Sequence, residues 1–134
     1  MMEWILRGVL VIMVWSDVLT TYLFFKKAKD YGYPRWADEE TSPFYRFFVK
    51  KYGLSEGMVI AAAINPAILI VLTALISNLL SPMLGREIGL GVGHGIFYGM
   101  LFISVYRNYA VYYKCPARRY NEKVLGKPLR THKR

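Results

Sequence analysis

The sequence predicts an all-α membrane protein with three transmembrane helices and one short interfacial amphipathic helix, and three observations carry that prediction. Hydrophobic residues make up 54% of the 134-residue chain and charged residues 20%, and the two kinds segregate into blocks. Three apolar blocks, residues 4–25, 56–80 and 88–113, are each long enough to span a hydrocarbon core of about 30 Å at about 1.5 Å per residue. Runs of about 20 apolar residues satisfy their backbone groups in lipid only as helices, because barrel strands are about half as long and alternate in polarity. The third observation is charge. Of 18 Lys and Arg residues, fifteen fall in the connector after the first span and in the tail after the third, which places those two segments on the same, cytoplasmic side.

The first span begins without the leading positive charge of a cleaved signal and ends at Lys26, Lys27 and Lys29, so it is expected to remain as an anchor. With the N-terminus outside, three spans put the C-terminus in the cytoplasm. Arg7 and Arg86 are the basic residues left on the outer side, and Arg107 lies within the third span near its inner end.

The connector contains a helix of a different kind. Ser42 is a preferred cap, Pro43 suits the first helical position and Gly53 is a usual terminator, which predicts a helix over 43–52. Phe44, Tyr45, Phe47, Phe48, Val49 and Tyr52 share one broad face, Arg46 and Lys50 oppose it, and Lys51 sits at the margin. That pattern suits a helix lying in the membrane interface, with packing against the ends of the bundle as the alternative.

In the second span Asn65-Pro66 interrupts the helical run. Proline has no N–H for the carbonyl four residues back, at Ala62, so a kink near mid-membrane is expected. The third span opens with two overlapping glycine repeats, Gly85, Gly89, Gly93 and Gly91, Gly95, Gly99, read as neighbouring close-packing stripes whose partner is either the first helix or a second copy. The run from Gly89 to Gly95 has no preceding strand and is not a nucleotide loop. The segment 114–134 is a separate basic tail, with Arg118, Arg119, Lys123, Lys127 and Arg130 expected to contact anionic lipid at the cytoplasmic face. It shows no nucleic-acid module, so nucleic acid is not an expected partner. Cys115 is the sole cysteine, which removes any internal disulfide.

Polar groups inside a span are expensive and usually face the bundle. Counting about 1.5 Å per residue from each helix midpoint places Asp17 and Asn65 both about 4 Å inward of centre and Arg107 about 10 Å inward. An inner cluster of Asp17, Thr21, Asn65 and Arg107 is therefore expected, and a second, outer cluster of Arg7, Asn78, Glu87 and His94. His94 and His132 are too few for a zinc site, no hydrolase spacing appears, and no metal or cofactor is expected.

Asp17-Val-Leu-Thr20-Thr21, followed by Glu40-Thr-Ser-Pro43, resembles an uncharacterised family of small prokaryotic polytopic membrane proteins. That family pairs an Asp-x-x-x-Thr signature with an acidic residue shortly before an Asn-Pro helix start. Here Ser42 stands where the family has Asn, and Glu40 lies three rather than two positions before the proline. The resemblance implies no activity and directs attention to Asp17 and Glu40.

The expected function is that of a non-enzymatic packing or scaffold subunit of the cell membrane, self-associating or joined to a membrane partner through the glycine stripes. Two alternatives stay open. One is an oligomeric ion, proton or small-solute carrier using Asp17 and Asn65, since three helices alone enclose little volume. The other is an interfacial membrane enzyme using Asp38, Glu39 and Glu40.

Overall fold

In the computed structural model, residues 1–30 and 42–113 are described. They form α1 (Met2–Asp30), α2 (Pro43–Tyr52), α3 (Leu54–Leu84) and α4 (Arg86–Tyr106), which runs on as a π-helix over Arg107–Tyr113. Three helical segments are long and apolar enough to cross a membrane: Met2–Asp30 with 29 residues, Leu54–Leu84 with 31 and Arg86–Ala110 with 25. The large apolar side chains of α3 and α4, among them Val59, Leu75, Leu79, Ile88, Ile96 and Phe102, point outward, while Asp17, Thr21, Thr73, His94 and Asn108 are buried. Polar inside and apolar outside is the distribution expected of a bundle solvated by lipid.

α1 supplies the central wall because its buried residues recur at helical spacing: Leu10, Val14, Asp17, Thr21, Phe24 and Ala28. Leu10 and Val14 pack with Tyr45, Val49, Met58, Ala61 and Leu101 in the main core. Phe24, Phe25 and Tyr112 form a smaller aromatic cluster at the far end of α1.

Single glycines make the two tight connections. Gly53 joins α2 to α3 at φ 87° and ψ 172°, and Gly85 joins α3 to α4 at φ 84° and ψ 153°. That region of backbone space is essentially closed to any residue with a Cβ. The N–H of Gly53 bonds to Val49 O, and that of Gly85 to Ser81 O. α3 and α4 therefore extend beyond the expected limits of 80 and 88 until one residue separates them. Gly85 is a turn residue, not the first step of a packing stripe: nothing lies within 4 Å of a Cβ built on it.

The other glycines divide by face. A Cβ on Gly89 would come within 3.0 Å of Ser77 O, and one on Gly93 within 2.5 Å of Ser77 Oγ and 3.0 Å of Thr73 O. Thr73, Ser77 and Ser81 recur every four residues, so small residues on α3 meet small residues on α4 within one chain. Gly91, Gly95 and Gly99 have nothing within 4 Å. The two stripes are not neighbours. An offset of two residues is about 200° around a helix of about 3.6 residues per turn, which puts them on opposite sides.

α2 packs against the bundle, as the alternative to a free interfacial helix expects. Tyr45 and Val49 are buried against the bundle, Phe44 and Phe48 pack beside them, and Phe47 and Tyr52 remain exposed. The contact is close because Gly57 lacks a side chain: a Cβ there would lie 2.5 Å from Phe48 O and 2.9 Å from Val49 Cα. Ser42 precedes the helix in extended conformation, but its side chain makes no capping hydrogen bond.

Candidate functional site

Asp17 is the buried acid of α1, 5% exposed; α2 and α4 reach it directly, and α3 reaches it through Tyr45. The Tyr45 hydroxyl of α2 donates to Asp17 Oδ2 at 2.9 Å, and the Ser104 hydroxyl of α4 donates to Asp17 Oδ1 at 2.5 Å. Asn65 of α3 donates from Nδ2 to the Tyr45 hydroxyl at 2.8 Å. One turn along α1, the Thr21 hydroxyl accepts from Asn108 Nδ2 at 2.8 Å. Between these groups lies a partly open cavity of about 270 Å³, lined by Asp17, Thr21, Tyr45, Asn65, Ser104 and Asn108 together with the apolar Leu69, Phe97 and Leu101.

Local structure explains each position. Asp17 and Thr21 are one turn apart on the inner stripe of α1, and Phe97, Leu101, Ser104 and Asn108 form the matching stripe of α4. Asn65 precedes Pro66, which has no N–H to offer the Ala62 carbonyl. Trp15 fills that vacancy: its indole Nε1–H donates to Ala62 O at 3.1 Å. The freed carbonyl was legible in the sequence and its partner was not.

Of the expected inner cluster, the structure brings together Asp17, Thr21 and Asn65. Arg107 does not join them. It is exposed, donates to the Tyr112 hydroxyl at 2.6 Å, and its guanidinium carbon lies 5.5 Å from the centre of that ring. The reason is winding. The chain changes to π-helix at Arg107, so residues five apart, Arg107 and Tyr112, become neighbours, while Asn108 takes the inward position opposite Thr21. Tyr45, Ser104 and Asn108 were absent from the expected set. Ser104 and Asn108 carry a signal in hindsight, as the polar positions of an otherwise apolar stripe.

The expected outer cluster does not form. Arg7 pairs with Glu3 and lies over the Trp4 ring, and Glu3 also meets Arg86 at 3.6 Å. Asn78 and Glu87 are exposed. His94 is buried by itself, its Nδ1 3.0 Å from Leu90 O, while its Nε2 and the Ser77 hydroxyl find no partner among the described residues. Glu87 and His94 share a face of α4 but lie two turns apart, and Arg7 and Asn78 make no hydrogen bond or ion pair with either among the described residues, so similar depth did not bring the four together. Glu39, Glu40, Asp38 and the tail residues Arg118, Arg119, Lys123, Lys127 and Arg130 lie outside the described residues.

The arrangement is rich in oxygen acceptors. Asn65 and Asn108 spend amide N–H groups on Tyr45 and Thr21, which leaves both amide oxygens as acceptors on residues that share the cavity lining with Asp17. Among the described residues no three His, Cys, Asp or Glu side chains come together to hold a metal ion, so Asp17 is the one carboxylate of this lining.

Compared with protein-family models, curated proteins and solved structures, the chain matches none. The likeness carried by Asp17–Thr21 and Glu40–Pro43 implies no activity.

Proposed function

We propose that the chain is an integral membrane protein, N-terminus outside and C-terminus cytoplasmic, that binds one small monovalent cation in the cavity beside Asp17. The observation that carries this reading is a buried carboxylate set among neutral oxygens around a cavity of about 270 Å³ in a single copy of the chain. Hard cations take oxygen ligands from carboxylates, hydroxyls and amide carbonyls. One carboxylate is balanced by one positive charge, and an ionisable group held in a span is a functional group by default. Pockets for organic ligands run from about 300 to 1,000 Å³, so this one favours an ion with its residual water.

Thermal unfolding of the purified protein in lithium, sodium, potassium and N-methylglucamine chlorides at one ionic strength tests the reading. One alkali cation should raise Tm saturably, with about 1.4 kcal/mol of added stability at ten times its Kd. Identical melting in all four salts would refute it.

A second reading, a self-associating scaffold, is favoured by a separate observation: Gly91, Gly95 and Gly99 leave a bare stripe on α4 with nothing within 4 Å. The two readings are compatible, and mass in detergent for Gly95→Leu against wild type tests the second. In either case the basic tail is proposed to hold the cytoplasmic face against anionic lipid.

A further inference from the structure

A second concavity, of about 490 Å³, lies on the outside of the bundle between α1 and α3. Trp15, Leu19 and Tyr22 form one wall, and Ser55, Met58 and Val59 the other. The wall is apolar along its length and closed at one end, where the Trp15 indole bonds to the Ala62 carbonyl. At the opposite end the side chains turn polar. Tyr22 and Ser55 both line the groove, and neither hydroxyl has a hydrogen-bond partner among the described residues.

Lys26 continues the same face. It follows Trp15, Leu19 and Tyr22 at spacings of eleven, seven and four residues, one turn beyond the groove's polar end. It is exposed and unpaired among the described residues, and Asp30, a turn further on, makes no ion pair with it. Lys27 is turned to another face, its ammonium 4.3 Å from the centre of the Tyr113 ring, so Lys26 is the cation that extends the groove.

We infer that this groove is a binding site for one anionic phospholipid, its acyl chain laid between α1 and α3 and its phosphate held by Lys26, Tyr22 and Ser55. The dimensions agree. The eleven residues from Trp15 to Lys26 rise about 16 Å along the axis, close to half of a hydrocarbon core of about 30 Å, which is the depth of one leaflet. The apolar walls take the chain, the unspent hydroxyl donors take phosphate oxygens, and the Lys26 ammonium selects net negative charge. Glu56 follows Ser55 in sequence but does not line the groove. The site is separate from the Asp17 cavity and stands or falls independently of it.

Native mass spectrometry of the purified full chain, titrated with dioleoylphosphatidylglycerol or dioleoylphosphatidylcholine, tests the inference. Wild type should hold one phosphatidylglycerol in preference to phosphatidylcholine. Lys26→Gln, a change at an exposed and unpaired side chain, should cut that preference about fivefold. Val59→Trp, which fills the groove from an exposed position, should abolish retention of both lipids. Equal retention of the two lipids by wild type would overturn the inference. So would a preference that survives both variants, which would assign it to the basic tail. A doubled chain mass without lipid, lost in Val59→Trp, would also overturn it by placing a second copy in the groove.

Discussion

Replacing Tyr45 with Phe removes one oxygen atom and keeps the buried ring, so it isolates the bridge that ties α2 to α1 and α3. The phenol donates to Asp17 Oδ2 at 2.9 Å and accepts from Asn65 Nδ2 at 2.8 Å. A hydrogen bond to a carboxylate contributes about 1.5–3 kcal/mol, and an interhelical bond between neutral groups in a membrane contributes about 0.6–1.7 kcal/mol. Together they predict a loss of about 2–5 kcal/mol for Tyr45→Phe, measured by equilibrium unfolding in mixed dodecylmaltoside and dodecylsulfate micelles. The two bonds share one oxygen, so the effects should not add. Once the phenol is gone, Asn65→Ala should cost about 0.5–1.5 kcal/mol less than it does in wild type. A loss below about 0.5 kcal/mol for Tyr45→Phe, within the range of ordinary surface changes, would refute the bridge, as would full additivity with Asn65→Ala.

Three further substitutions probe the packing that holds the site. Trp15→Phe leaves the Ala62 carbonyl with no donor and should cost about 0.6–1.7 kcal/mol in the same unfolding assay. In a Pro66→Ala background, where residue 66 regains its N–H, that cost should vanish. Gly57→Ala places a methyl 2.5 Å from the Phe48 carbonyl oxygen, which forces α2 away from α3. It should destabilise by about 1–3 kcal/mol. Gly93→Ala, whose methyl meets the rotatable Ser77 Oγ at 2.5 Å and the Thr73 carbonyl oxygen at 3.0 Å, should cost less than Gly57→Ala, whereas Gly95→Ala, with nothing within 4 Å of the new methyl, should gain about 0.5–1 kcal/mol from helix propensity.

Much of the architecture is written in the sequence because long apolar helices obey few rules and strict ones. The lengths of the apolar runs mark the three helices long enough to cross a membrane, and a lone acid in such a run turns inward, which makes Asp17 legible without coordinates. Spacing alone also aligns Thr21 with it. Other features depend on choices that one-dimensional patterns do not record. The aromatic face of α2 is equally at home among headgroups and against a bundle, and the absence of a side chain at Gly57 decides in favour of the bundle by letting the backbones close. Two glycine repeats offset by two residues look alike in sequence, yet one meets α3 and the other meets nothing. The error at Arg107 has a similar origin. A uniform helical period was carried through to residue 113, and the π-helix that begins at Arg107 exchanges the inward place of the arginine for that of Asn108.

The proposed cation site is tested most directly by counting ions. Equilibrium dialysis of the purified protein against the alkali cation that stabilises it should give saturable uptake of one ion per chain. That uptake should be lost in Asp17→Asn and retained in Asp30→Asn, whose carboxylate lies exposed at the end of α1. A folded wild-type protein that takes up no ion, or an Asp17→Asn variant that takes up as much as wild type, would contradict the account.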